Sequence, residues 1–159
     1  MSRLGARPGL LPSMLDRLID TDVNRAAPRS GYTIQQILHA VRRDLEDLLN
    51  SRQPVDPRIE EHAELADSIF NYGLPDITRK SASTPEQRAE ICEVVASVIA
   101  RFEPRLKNIR VTALEPKEGD VQTVRFEIRA RLNVDPNPDV TFGTVLELSG
   151  HATIRAGEA

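Results

Sequence analysis

Residues 124–134 alternate without a break. Val124, Phe126, Ile128, Ala130, Leu132 and Val134 are apolar, and the residues between them, Arg125, Glu127, Arg129, Arg131 and Asn133, are polar. A period of two sends successive side chains to opposite faces, so this run predicts a strand with one buried and one wet face. Residues 108–114 read as a shorter strand before it, joined by a turn at Glu115–Asp120 that contains Pro116 and Gly119. Residues 140–149 read as a third strand, beyond the loop Asp135–Asp139, with Gly150 as a kink and 151–155 available to continue it. Connections this short make an antiparallel meander of three strands the simplest topology.

Upstream the period changes from two to that of a helix. Ile34, Ile37, Leu38, Val41, Leu45, Leu48 and Leu49 form one stripe over 34–50, and Thr33 with Gln36 fits a capping box at its start. Asn50 is a candidate left-handed terminator. Arg42, Arg43, Asp44, Glu46 and Asp47 fall mostly off the stripe and read as a solvated face. Residues 59–70 read as one or two short helical pieces, with Ile59, Ala63, Ala66 and Ile69 inward. Gly73 and Pro75 end any helix there. A second long helix covers 85–103: Thr84 is its cap, Pro85 sits where a missing N–H costs nothing, and Gln87 completes a capping box. Ile91, Val94, Val95, Val98, Ile99 and Phe102 line its apolar face. Helices first and strands last predict an α+β domain over 32–159, with two main helices and short helical pieces packed on a three-stranded sheet. Residues 1–31, with three prolines and two glycines after Gly5, read as an extended arm. Its apolar patch, Leu10 to Ile19, suits a short docking helix.

Composition narrows the function classes. The net charge of −3 over 159 residues leaves no basic excess to displace counterions from nucleic acid. Aromatics are 4% and Trp is absent, which disfavours base or sugar stacking platforms. No apolar run approaches the ~20 residues of a membrane span, and no signal-peptide core is evident at the N-terminus, so a cytoplasmic location is expected. His39, His62 and His151 are scattered without ligand spacing, so no metal site or other cofactor is expected. Cys92, the single cysteine, sits beside the stripe of the second helix and reads as a small packed hydrophobe.

Glu103 is the one acid with an unusual context. It follows Ile99 by four residues and Val95 by eight, so a continuing helix would place its carboxylate on the apolar side. Two readings follow: a buried ion pair that orients the helix end, or an acid of a glycosidase working against a second carboxylate. Pro104 kinks or ends the helix there. If helix persisted, Glu103 and Arg105 would point to different sides and seek different partners. On the 124–134 strand, Arg125, Arg129 and Arg131 either confer solubility or flank an open sheet edge able to accept a strand from another chain.

Five strings run in order along nearly the whole chain: LPSMLDRL at 11–18, RRDLEDLLNSR at 42–52, SIFNYGLPDI at 68–77, FEPRL at 102–106 and VTFGTVLEL at 140–148. Together they resemble the TssE family, the small wedge subunit of the type VI secretion baseplate, and the homologous baseplate wedge protein of contractile-tailed phages. The resemblance implies a structural, non-enzymatic role with no catalytic residues, although the family once carried a lysozyme-like label. It implies assembly with TssF and TssG into a wedge alongside TssK, in a baseplate docked at the inner membrane without inserting into it. It also implies seeding of the TssB and TssC sheath, whose arms add strands to the sheet. The family's marked motif falls on Glu103, Pro104, Arg105 and Leu106, which the resemblance makes an assembly motif. Gly143 departs from the pattern, standing where a polar residue is expected.

Overall fold

The computed structural model describes residues 33–56, 61–66, 68–77, 80–115, 123–135 and 137–156. The expected arm over 1–31, the string at 11–18, the inward role of Ile59 and the turn residues 116–120 lie outside them. Two compact units divide the chain, Met1–Val41 and Arg42–Ala159. The sheet and the candidate site lie wholly within the second.

Helix α1 spans Ile34–Asn50. Its capping box forms as the sequence predicts: the Gln36 amide donates to Thr33 Oγ1 at 3.2 Å, and the Thr33 amide donates to Gln36 Oε1 at 2.9 Å. Leu45, Leu48 and Leu49 are buried. Asn50 is not a left-handed terminator, since among the described residues Asn108 is the non-glycine residue with positive φ. The Asn50 side chain has another task, described below.

A single helical turn, Ala63–Ala66, and a 3-10 turn, Ile69–Asn71, follow. Ile69 was expected inward and is 89% exposed, because the tight turn directs Asn71 inward instead, at 6%. The chain then runs beside the end of α1. Arg52 and Leu74 form a parallel bridge, Leu74 donates to the Ser51 carbonyl at 2.9 Å, and Gln53 donates to the Leu74 carbonyl at 2.9 Å. Gly73, at φ +113°, makes this approach feasible, for a Cβ there would stand 2.6 Å from the Ser51 carbonyl carbon and oxygen.

Helix α2 spans Pro85–Phe102, with Thr84 and Gln87 in a complete capping box and Pro85 in the first turn. Ile91, Cys92, Val95, Val98 and Ile99 are buried along one face. The helix stops at Phe102, one residue short of expectation. Glu103 becomes its C-cap at φ −119°, ψ 79°, since the Pro104 ring disfavours helical backbone in the residue before it.

The sheet has four strands, not three: β1 Leu106–Ala113, β2 Thr123–Leu132, β3 Asp139–Glu147 and β4 Ala152–Ala156, antiparallel in the order β1-β2-β3-β4. Gly150 reverses the chain. Its φ of +105° closes a three-residue loop in which Glu147 donates to the His151 carbonyl at 2.7 Å, so 152–156 turns back as a strand of its own. On β2, Val124, Phe126, Ile128, Ala130 and Leu132 are buried as the alternation requires, while Val134 lies past the strand's end. Phe142, Leu146, Ala152 and Ile154 continue the dry face across β3 and β4. Gly143 lies on the wet face of β3, opposite Glu127 and Arg155, with open space where a side chain would be.

Candidate assembly site

Two of the strings recognised in the sequence meet around one ion-pair cluster, and the YGLP segment closes beside it. Because α2 ends at Phe102, the condition that separated Glu103 from Arg105 does not hold. With the backbone outside the helical region at Glu103, the Arg105 side chain folds back onto it. Glu103 is 4% exposed. Its Oε1 accepts from the Arg105 amide at 3.1 Å and from Arg105 Nε at 2.7 Å, and its Oε2 accepts from Arg105 Nη2. Arg105 Nη2 also reaches Asp44 Oδ2 on α1 at 2.6 Å, and Asp44 Oδ1 takes Arg43 Nη2 at 2.7 Å. Charges therefore alternate along Arg43, Asp44, Arg105 and Glu103, and each internal charge has opposite neighbours.

Burial opposes the charge on Arg105. The bonds and charges of Glu103 first, and of Asp44 next, outweigh it and hold the guanidinium above its ordinary pKa. Tyr72 stands nearby, its ring edge-on to Phe102 with centroids 5.4 Å apart. Burial, followed by the charges of Asp47, Asp44 and Glu103, raises its hydroxyl pKa, and Arg105 acts in the opposite sense.

The four motif residues take different positions. Glu103 and Leu106 are buried, Arg105 is partly buried and Pro104 is exposed. The backbone locks the segment further: Leu106 donates to the Glu103 carbonyl at 3.1 Å, and Asn133 donates to the Arg105 carbonyl at 2.7 Å. The arrangement fixes the end of α2 against α1 and the start of β1. It matches the ion-pair reading of Glu103. A glycosidase acid needs a proton to give and a leaving group to reach; both oxygens of Glu103 are instead engaged by Arg105. Among the described residues no group of three His, Cys, Asp or Glu could hold a metal ion. Burial pushes the Cys92 thiol up to about 11, which keeps it protonated and unreactive.

Three contributors escaped the sequence reading. Asp44, placed there on a solvated face, has Ala40 and Leu48, both buried, at i−4 and i+4; that spacing marks the border of the apolar stripe and could have shown it. Asn50 donates to the Ala152 carbonyl at 3.0 Å and accepts from the Ala152 amide at 2.8 Å, pinning β4. Arg52 donates to the Leu49 carbonyl at 3.1 Å and to the Gly150 carbonyl, bracing the β3–β4 turn.

The chain is a small α+β domain in which the cluster of Glu103, Arg105 and Asp44 ties α1, α2 and β1 together, and its sheet ends in two strand edges. Residues 35–137 match the family described as baseplate wedge protein gp25, and the chain belongs to that family. It is also similar to a chain in a solved structure described as the baseplate complex from the type VI secretion system, at 20% identity over 79% of this chain and 97% of that one, with a TM-score of 0.48. No curated protein matches the sequence. No helix among the described residues is long and apolar enough to cross a membrane.

Proposed function

We propose that this chain is the small wedge subunit of a type VI secretion baseplate, that it assembles there with TssF, TssG and TssK, and that its sheet starts the contractile sheath by accepting a strand from TssB or TssC. The observation that carries this reading is membership of the baseplate wedge family across residues 35–137. Two features support the finer part. A preformed four-stranded sheet offers backbone groups already ordered, which removes much of the entropic cost of starting a ring. The ion-pair cluster holds α2 and β1 in a fixed relation, so the edge is presented in one geometry. Glu103, Pro104, Arg105 and Leu106 act as the assembly motif by setting that geometry, with the exposed Pro104 available to a neighbouring subunit. The protein works in the cytoplasm, in a baseplate docked at the inner membrane.

The test is purification of the tagged protein from its native cells, with mass spectrometry of what accompanies it. Wedge and sheath proteins are expected with the wild type and depleted with Glu103→Ala or Arg105→Ala. Circular dichroism of each variant separates lost assembly from lost folding. A lone monomer from wild-type cells would remove the baseplate reading.

A further inference from the structure

The two edges of the sheet are not equivalent. In an antiparallel ladder, residues in non-hydrogen-bonded pairs turn both backbone groups outward. On β4 those residues include Ala152 and Ile154, because Glu147 and His151 form a hydrogen-bonded pair. The Asn50 amide occupies both outward groups of Ala152, and the Arg42 guanidinium lies 3.5 Å from the Ile154 carbonyl. On β1 the amide of Leu114 donates to the Arg125 carbonyl at 2.8 Å, which leaves Ala113 and Val111 with their outward groups on the open side. No side chain among the described residues caps them. The first half of β1 is protected differently: Asn108 and Ile109 bulge opposite Ala130, with Asn108 at φ 54°.

The same open stretch borders a groove of about 550 Å³ between β1 and the first half of α2, lined by apolar Ala89, Cys92, Val111 and Ala113 and by the charged Arg88, Glu93 and Glu115. Val111 and Ala113 share the dry face with Ile128 and Phe126, which they oppose. Ile128 and Phe126 are fully buried, yet Val111 and Ala113 are only partly covered. On the wet face Arg110 sits directly opposite Arg129. Like charges in that position repel, and Arg129 already pairs with Glu127. Arg110 has no acidic partner among the described residues.

We infer that the incoming strand pairs with the outer edge of β1 at Val111 and Ala113, and that it is apolar at alternate positions, with a carboxylate on the intervening side beside Arg110. This rests on the strand-addition reading above and adds the edge and the chemistry of the partner. Apolar side chains of the added strand enter the groove and complete the cover over Val111 and Ala113. The carboxylate offsets the repulsion between Arg110 and Arg129. Both requirements come from one register of one strand.

The experiment compares amide hydrogen exchange of the isolated protein with that of the assembly purified through its tag. The Val111 and Ala113 amides are expected to exchange roughly tenfold or more slowly in the assembly, with Ile154 unchanged. Val111→Pro removes an outward donor while sparing the inward bonds of Arg110 and Thr112. It is expected to cut recovery of sheath proteins about tenfold while wedge proteins remain. Arg110→Glu, which alters no backbone group, is expected to lower the same recovery. Protection at Ile154 in place of Val111 overturns the choice of edge but leaves strand addition standing. Protection at neither edge, with sheath proteins present, removes strand addition itself. Undiminished sheath recovery with Arg110→Glu overturns the acidic partner position.

Discussion

A carboxylate that is 4% exposed and bonded three times to one arginine behaves differently from one at the border of the same cluster. Glu103→Gln keeps the shape and removes the charge, which leaves a partly buried guanidinium with Asp44 as its remaining carboxylate. Losing one partner of a fully buried pair costs about 3–5 kcal/mol; the Arg105 side chain retains some exposure, so about 2–3 kcal/mol is expected. Asp44 has 20% of its side chain exposed, and Arg105 keeps Glu103 when Asp44 is neutralised. Asp44→Asn should therefore cost about 1 kcal/mol. Urea denaturation of both variants at neutral pH gives the comparison. Glu103→Gln as mild as Asp44→Asn would show that Glu103 does not anchor the cluster.

At the scale of elements, the crossing of the segment after α1 with the YGLP segment is the most demanding contact. Gly73 combines a φ of +113° with backbone of Ser51 where a Cβ would stand. Gly73→Ala meets both obstacles, and neither Ser51 nor its carbonyl is a flexible group that can swing aside. A loss of about 2–4 kcal/mol is expected, from backbone strain and displacement of the two hydrogen bonds between Ser51, Gln53 and Leu74. Thermal unfolding measures it, and an unchanged midpoint would mean that the crossing is loose. The need for glycine at 73 was legible as local turn chemistry; its Ser51 neighbour was not. The same division runs through the molecule. Both capping boxes, the stripes of α1 and α2 and the alternation of β2 are set by residues within a few positions of one another, and each was readable. Asp44 and Arg105 are 61 positions apart, and Asn50 and Ala152 are 102 apart; no local pattern records such pairs. Strand β4 was half seen, because Ala152 and Ile154 give too brief an alternation to stand apart from β3, and Gly150 reads equally as a kink or a reversal. At Glu103 the sequence marked a buried acid correctly. It could not assign Arg105 as the partner, because the geometry depended on where the helix stopped.

For the whole molecule, a four-stranded meander has two edges, and unguarded edges invite self-pairing. Here the edges are treated unequally. β1 keeps a bulge at Asn108 and Ile109 and an open stretch at Val111 and Ala113, whereas β4 is short and is closed at Ala152 by a side chain from α1. Asn50 suits that closure because its amide carries a donor and an acceptor side by side, matching the outward carbonyl and N–H of one residue. Asn50→Ala removes both bonds at once. The expected cost is about 1–2 kcal/mol, since the Ala152 groups lose their protein partner and must find water. A second consequence follows from topology. With Ala152 uncovered, the protein has two edges able to receive a strand, and copies can pair β4 to β1 head to tail. Such contacts do not close and lead to open chains. Light scattering over a concentration series should show Asn50→Ala growing into polydisperse species where the wild type does not. Adding Val111→Pro to that variant should suppress the growth, because the β1 acceptor is then blocked. If Asn50→Ala remains as stable and as monodisperse as the wild type, the Asn50 bridge is not what closes β4.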